Sequence, residues 1–234
     1  MTETYIEYEG KTIPFFVHDN LITRYGRLPD YISDSIETTH HFFELGLLDY
    51  WKEKFGTVDS FVDIGANIGN HSVFAREALK AKSITCFEPL GASADILAKN
   101  VPETTIHRFG LSSTPGEMGV EQNLMQIKGS PGLYCANAGA TELIPGTGVK
   151  VDTLDNMGVE SCDLMKIDVE GMETEVLKGA VETLTRLRPM IYAEANLMVH
   201  FMDMIEVLSP LGYYLTHVTN FNNVMLEFTP KEKL

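Results

Sequence analysis

Apolar positions change their spacing twice along this chain, and the changes divide it. Over residues 5–19, YIEYEGKTIPFFVHD alternates in the manner of strands and reads as a small hairpin. In residues 37–55, ETTHHFFELGLLDYWKEKF, the side chains of Phe42, Leu45, Leu48 and Trp51 recur at helical spacing and predict a helix. From residue 57 short apolar runs alternate with helix-like stretches. DSFVDIG, SITCFEP and TTIHRFG are the runs, and HSVFAREALKA and GASADILAKN separate them. That order predicts βαβαβ winding about a parallel sheet.

Residues 112–149 break the rhythm. They are rich in glycine and contain Pro115, Pro131 and Pro145, which predicts a loop-rich excursion with short strands. The alternation resumes with VKVDTLDNM, the strand DLMKID, a helix over GMETEVLKGAVETLTRL and the strand PMIYAEA. After the helix LMVHFMDMIEVLSP come YYLTHVT and NVMLEFT, joined by NFNN as an antiparallel hairpin. The domain organisation expected is a cap over residues 1–56, hairpin plus helix, on an α/β domain over 57–234.

Composition narrows the partners. The 234 residues carry 18 Lys and Arg against 33 Asp and Glu, a formal net charge of -15. Such acidity argues against a nucleic-acid partner, which requires clustered cations to displace counterions. No apolar run approaches the length of a membrane span. MTETYIEYEGK lacks the basic and apolar regions of a signal peptide, so a cytoplasmic location is the expectation. Cys86 and Cys162 lie in or beside apolar runs and read as buried thiols, and Cys135 forms no C-x-x-C pair with either.

A parallel sheet binds ligands beyond the carboxyl ends of its strands. FVDIGANIGNHSVFA, residues 61–75, supplies a glycine turn there, with the spacing D-x-G-x-N-x-G rather than G-x-G-x-x-G. Gly65 and Gly69 let the backbone approach a ligand, Asn67 tolerates the left-handed region, and Asp63 can accept from a ligand ammonium. Glu88, in CFEP at the end of the next strand, is placed to accept from ribose hydroxyls. In KIDVEGMETEVLKGA, Lys166 and Asp168 flank Ile167 and share a strand face, with Asp168 at the carboxyl end. Glu170 and Glu173 fall in the first turn of the following helix, where its dipole favours carboxylates.

Together VDIGANIGNHS, FEP, the TLD at 153–155, IDVEGMETEVLKGA and RPMIYAE resemble the FkbM-type family of S-adenosylmethionine-dependent methyltransferases, over roughly residues 58–196. The resemblance implies a Rossmann-like class I methyltransferase fold: a seven-stranded, mostly parallel sheet with helices on both faces and an antiparallel C-terminal hairpin. It implies S-adenosyl-L-methionine as cofactor, with Asp63, Gly65, Asn67, Gly69 and Asn70 at its methionine part, Glu88 and Pro89 at the ribose, Gly110 and Leu111 by the adenine, and Asp168 in the same cleft. The implied reaction is methylation of a hydroxyl on a sugar or natural-product-like small molecule.

Removing the hydroxyl proton needs a base. Asp168 and Glu194, at the ends of adjacent strands, are the first candidates and Glu170 a weaker third. His200, His40 and His41 read at least as well as structural histidines. Asp168, Glu194 and Asn196 also offer hard oxygen ligands, yet Ala195 interrupts the Asp-Asn pair of magnesium-dependent relatives, and a divalent metal is disfavoured. A nicotinamide-dependent oxidoreductase lacks its glycine spacing here, and a non-catalytic cofactor-binding scaffold is opposed by the retained Asp168, Glu170 and Glu194.

Overall fold

The computed structural model describes residues 1–19, 21–23, 26–126, 134–195, 198–221 and 223–234, with side chains outside 21–27, 122–140 and 198. The chain opens with β1 (Thr2–Tyr8) and β2 (Lys11–Val17), an antiparallel hairpin closed by Glu9 and Gly10. Both turn residues have positive φ, 47° and 75°, as a primed two-residue hairpin turn demands. β3 (Leu21–Thr23) and β4 (Gly26–Leu28) pair in the same manner. Two helices follow, α1 (Tyr31–Thr39) and α2 (Leu45–Phe55). Asp30 starts α1 by accepting from the Ser33 amide at 3.0 Å.

The helix expected over 37–55 is thus broken. His40 and Glu44 are both left-handed, with φ of 54° and 58°. His40 stacks on Tyr5 with ring centroids 4.1 Å apart. Asn70 meanwhile holds the Phe43 backbone, accepting from its amide and donating to its carbonyl, both at 2.9 Å. These tertiary contacts outweigh local propensity.

The winding begins with β5 (Ser60–Ile64), α3 (Asn70–Glu77), β6 (Ser83–Phe87), α4 (Gly91–Asn100) and β7 (Thr105–His107). Next come β8 (Gly110–Leu111), β9 (Gly116–Gln126), β10 (Tyr134–Pro145) and β11 (Val149–Asp152), which form a separate four-stranded sheet in the order β10-β9-β11-β8. The glycine-rich excursion is therefore a long antiparallel arm rather than loop with short strands. VKVD likewise joins this small sheet and not the main one.

The chain finishes with β12 (Leu164–Ile167), α5 (Glu173–Lys178), α6 (Val181–Leu187), β13 (Met190–Glu194), α7 (Met198–Leu208), β14 (Tyr213–Asn220) and β15 (Val224–Pro230). The expected helix over 171–187 is two helices. A Cβ on Gly179 would strike the Ser112 carbonyl, and the Asp155 carboxylate accepts from the amides of Glu182 and Thr183 at 3.1 and 2.8 Å to start α6. The TLD motif is thus a helix cap.

The main sheet has seven strands in the order β14-β15-β13-β12-β5-β6-β7. β15 runs antiparallel to both of its neighbours and the remaining pairings are parallel. Alternate residues feed two cores. Phe61, Leu164 and Tyr192 join Trp51, Phe74, Leu97 and the cap residues Ile6 and Phe15 on one face. Val62, Ile64, Met165, Ile167 and Ile191 join Val176, Leu184 and Met204 on the other. Burial on both faces is what a parallel sheet requires. The side chains of Cys86 and Cys162 are buried, whereas that of Cys135 lies outside the described residues. Among the described residues no helix is long and apolar enough to cross a membrane.

Candidate active site

A cleft of about 1120 Å³, counting its open mouth, lies beyond the carboxyl ends of β5, β6 and β12. Its floor is the turn after β5. Gly65 has φ 78°, and a Cβ there would strike the Asp168 carbonyl, so only glycine lets these neighbouring strand ends meet. Gly69, with φ 91°, sits in a conformation that itself favours glycine, and the end of the Leu97 side chain lies where a Cβ would stand. Between them Asn67 is left-handed, φ 48°, and both polar atoms of its side chain are buried without a hydrogen-bond partner. Glu88 secures the turn: its Oε2 accepts from the Asn67 amide at 2.8 Å and its Oε1 from the Leu90 amide at 2.7 Å. Burial pushes the Glu88 carboxyl up to about 7.

Below the cleft a polar row crosses the cap-covered face of the sheet. Register places Asp63, Lys166, Tyr192 and Glu227 side by side on four adjacent strands. Lys166 Nζ lies 3.0 Å from Asp168 Oδ2, 3.0 Å from the Gly65 carbonyl and 3.8 Å from Asp63 Oδ1. Burial alone would lower the Lys166 pKa, but the Asp168 and Asp63 carboxylates more than reverse this and keep it charged. Burial likewise favours a neutral Asp168, and Lys166 overrides it, holding that carboxyl below its ordinary range.

One step toward the strand ends lie Asp168, Glu170 and Glu194, with carboxylate oxygens within 4.8 Å of one another. Glu194 is buried and hydrogen-bonded to Asp168; burial, then the Asp168 and Glu170 charges, raise it far above the usual carboxylate range, so it is the proton-bearing member of that pair. Glu170 is lifted to about 8, first by burial and then by Asp168 and Glu173. It stands in the left-handed region, φ 53°, and faces the cleft. Glu173 instead accepts from the amides of Val169 and Gly171 at 3.0 and 3.2 Å, shaping the loop that presents Glu170. A divalent ion among these oxygens would release the proton on Glu194 and compete with Lys166 for Asp168. Asn196 lies outside the described residues.

The mouth is built by distant segments. Tyr31, Ile32, Phe43 and Glu44 come from the cap, and Thr141 and Leu143 from β10. Leu143 Cδ1 fills the space that a Cβ on Gly110 would need, at 2.7 Å. His71 and Glu44, both buried, face each other with Nε2 and Oε2 3.2 Å apart.

Residues 63–215 match the model of the methyltransferase FkbM domain. The chain belongs to the FkbM methyltransferase family. It is 29% identical over 168 residues to the hexuronic acid methyltransferase AglP of Haloferax volcanii, covering 70% of this chain and 66% of that one. It is 28% identical over 167 residues to the methyltransferase sdnD of Sordaria araneosa, covering 52% and 60%. The chain thus spans less than two thirds of the length of either relative. The fold is shared with an FkbM methyltransferase from Methylobacillus flagellatus, at TM-score 0.52 and 20% identity over 73% of this chain and 43% of that one. It is also shared with a putative transferase from Pyrococcus horikoshii, at TM-score 0.53 and 12% identity over 97% and 71%.

In this FkbM-family chain Gly65, Asn67, Asn70, Glu88, Pro89, Gly110, Leu111, Asp168 and Glu170 line one cleft. Asp63 does not: it is fully buried beside Lys166, its Oδ2 accepts from the Ser72 hydroxyl at 2.5 Å, and its Oδ1 has no hydrogen-bond partner. Glu194 sits behind Asp168, and Asn70 spends its amide on Phe43. His200 packs over Gly171, 3.6 Å from where its Cβ would stand, and His41 is exposed. Sequence reasoning missed His71 and Glu44. His71 could have been found, since it stands in the first turn of the helix that follows the glycine turn. Glu44 carries no local signal.

Proposed function

We propose that this chain is an S-adenosylmethionine-dependent methyltransferase acting on a hydroxyl of a sugar or natural-product-like small molecule. The observation that carries the reading is the left-handed turn on the cleft floor, where both polar atoms of the Asn67 side chain are buried without a partner. Such a place suits a ligand that brings both hydrogen-bond donors and acceptors. In this reading the turn from Gly65 to Asn70 holds the methionine part, Glu88 and Pro89 the ribose, and Gly110 to Ser112 the adenine.

Once bound, the cofactor would supply a methyl group on an electrophilic sulfonium. The chain's own work is to place the acceptor oxygen in line, exclude water and take the hydroxyl proton. Glu170 suits that last task better than Asp168. A base is most effective with a pKa near the working pH, and Asp168 is committed to Lys166. Asp168 then orients the acceptor, and the proton on Glu194 fixes the Asp168 carboxylate. The cap and the β9–β10 arm shape the acceptor pocket. A sugar acceptor is supported by the relative named for hexuronic acid.

Calorimetric titration with S-adenosylhomocysteine, with NADH as control, tests the cofactor. Micromolar binding of the first alone is expected, followed by an acceptor screen for methyl transfer that proceeds equally in EDTA. Binding of NADH alone would overturn the reading.

A further inference from the structure

The charge that lines this cleft is one-sided. Its carboxylates are Glu44, Glu88, Asp168 and Glu170, against Lys166 and His71. Lys166 is only 3% exposed and already committed to Asp168, Asp63 and the Gly65 carbonyl. No arginine lines the cleft among the described residues. The groups acting on Glu170 come from every element around it: Asp168 and Lys166 at β12, Glu194 on β13, Glu173 on α5 and Glu142 on the β10 arm. His71 on α3 acts on Asp168, and His200 on α7 packs over Gly171. Asp168, Glu173 and Glu142 add negative charge there, Lys166 opposes them, and Glu194 carries its proton.

Position turns this imbalance into selectivity. β5 and β12 are hydrogen-bonded neighbours with Ile64 opposite Ile167, so Gly65 and Asp168 are the next residues on each strand. The glycine turn and the side chains of Asp168 and Glu170 line the same cleft, so a ligand resting on the turn shares the cleft with those carboxylates.

We infer that Asp168 and Glu170 make the cleft select the cationic form of its cofactor over the neutral product, so that loss of the sulfonium charge itself weakens binding. This rests on the cofactor reading above. Asp168, partly offset by Lys166, and Glu170 both line the cleft, and a net negative charge there supports a preference of about tenfold or more for a cationic ligand. S-adenosylhomocysteine is thus a weak product inhibitor here, and the site empties because its charge complement is gone.

The test is calorimetry on the whole chain in EDTA, with S-adenosylhomocysteine and sinefungin, which carries an ammonium where the cofactor has its sulfonium. At pH 8.5 sinefungin is expected to bind at least about tenfold more tightly, with the ratio shrinking at pH 6 as Glu170 takes a proton. Glu170→Gln should bring the ratio within about threefold while leaving S-adenosylhomocysteine affinity equal or better. Glu142→Gln, on the exposed arm, should narrow it less. Equal affinities in the wild type at pH 8.5, or a ratio unmoved in both variants, overturns the inference. Failure of both ligands to bind overturns the cofactor reading instead.

Discussion

Glu227 and Glu170 are both shielded carboxyls, yet they stand at opposite extremes. Glu227, in the polar row, accepts from Tyr50 at 2.9 Å, Tyr192 at 2.6 Å, Lys54 at 2.7 Å and Thr216 at 2.5 Å. Burial alone would raise it, but those donors, Lys54 first, pull it down to about 2. Glu170 gathers carboxylates around it instead and rises to about 8. Shielding is common to both; the supply of donors decides which one holds the fold together and which one is left reactive.

The largest expected effect falls on turnover. Glu170→Gln should lower it about a hundredfold or more while leaving Tm unchanged or higher, measured by methyl transfer and thermal scans side by side. An active variant would return the base to Asp168. Glu227→Leu should do the converse. Stranding Lys54, Tyr50 and Tyr192 should cost about 3 kcal/mol, a Tm drop of roughly 6–12 °C, with S-adenosylhomocysteine affinity intact.

Their pH dependences oppose each other. Glu170 is raised in the fold from an ordinary 4.5 to about 8, so its contribution is full below 4.5 and is lost as pH rises to about 8. Glu227 is depressed from 4.5 to about 2, so its contribution is present above 4.5 and lost as pH falls to about 2. Thermal scans should therefore show wild type losing ground to Glu170→Gln between pH 5 and 8, and to Glu227→Gln on acidification. Parallel curves would undo the contrast. The smallest change is Tyr50→Phe, which removes one donor from Glu227 and should cost about 1 kcal/mol by denaturant titration.

What the sequence revealed is what depends on local period. Two-residue spacing puts Lys166 and Asp168 on one strand face, and they meet at 3.0 Å. The same rule also places Asp63 on the covered face with Phe61, where it is fully buried and does not line the cleft. The rest depends on long-range contacts. The break between α1 and α2 follows from Tyr5 and Asn70, and that between α5 and α6 from Ser112. The arm was hidden because glycine and proline suggest loop, whereas pairing along β9 and β10 satisfies the backbone of most of both strands.

Asn70 and Asn100 each grip a cap residue by its backbone, Phe43 and Phe16, and Tyr50 and Lys54 find their partner on β15, 177 and 173 residues further along. In the order of synthesis, α2 therefore emerges long before the carboxylate that secures it exists. During that interval its apolar side, with Leu47, Leu48 and Trp51, has no finished sheet to cover. The segment made early is thus secured by a partner made late, Glu227 on the hairpin of β14 and β15.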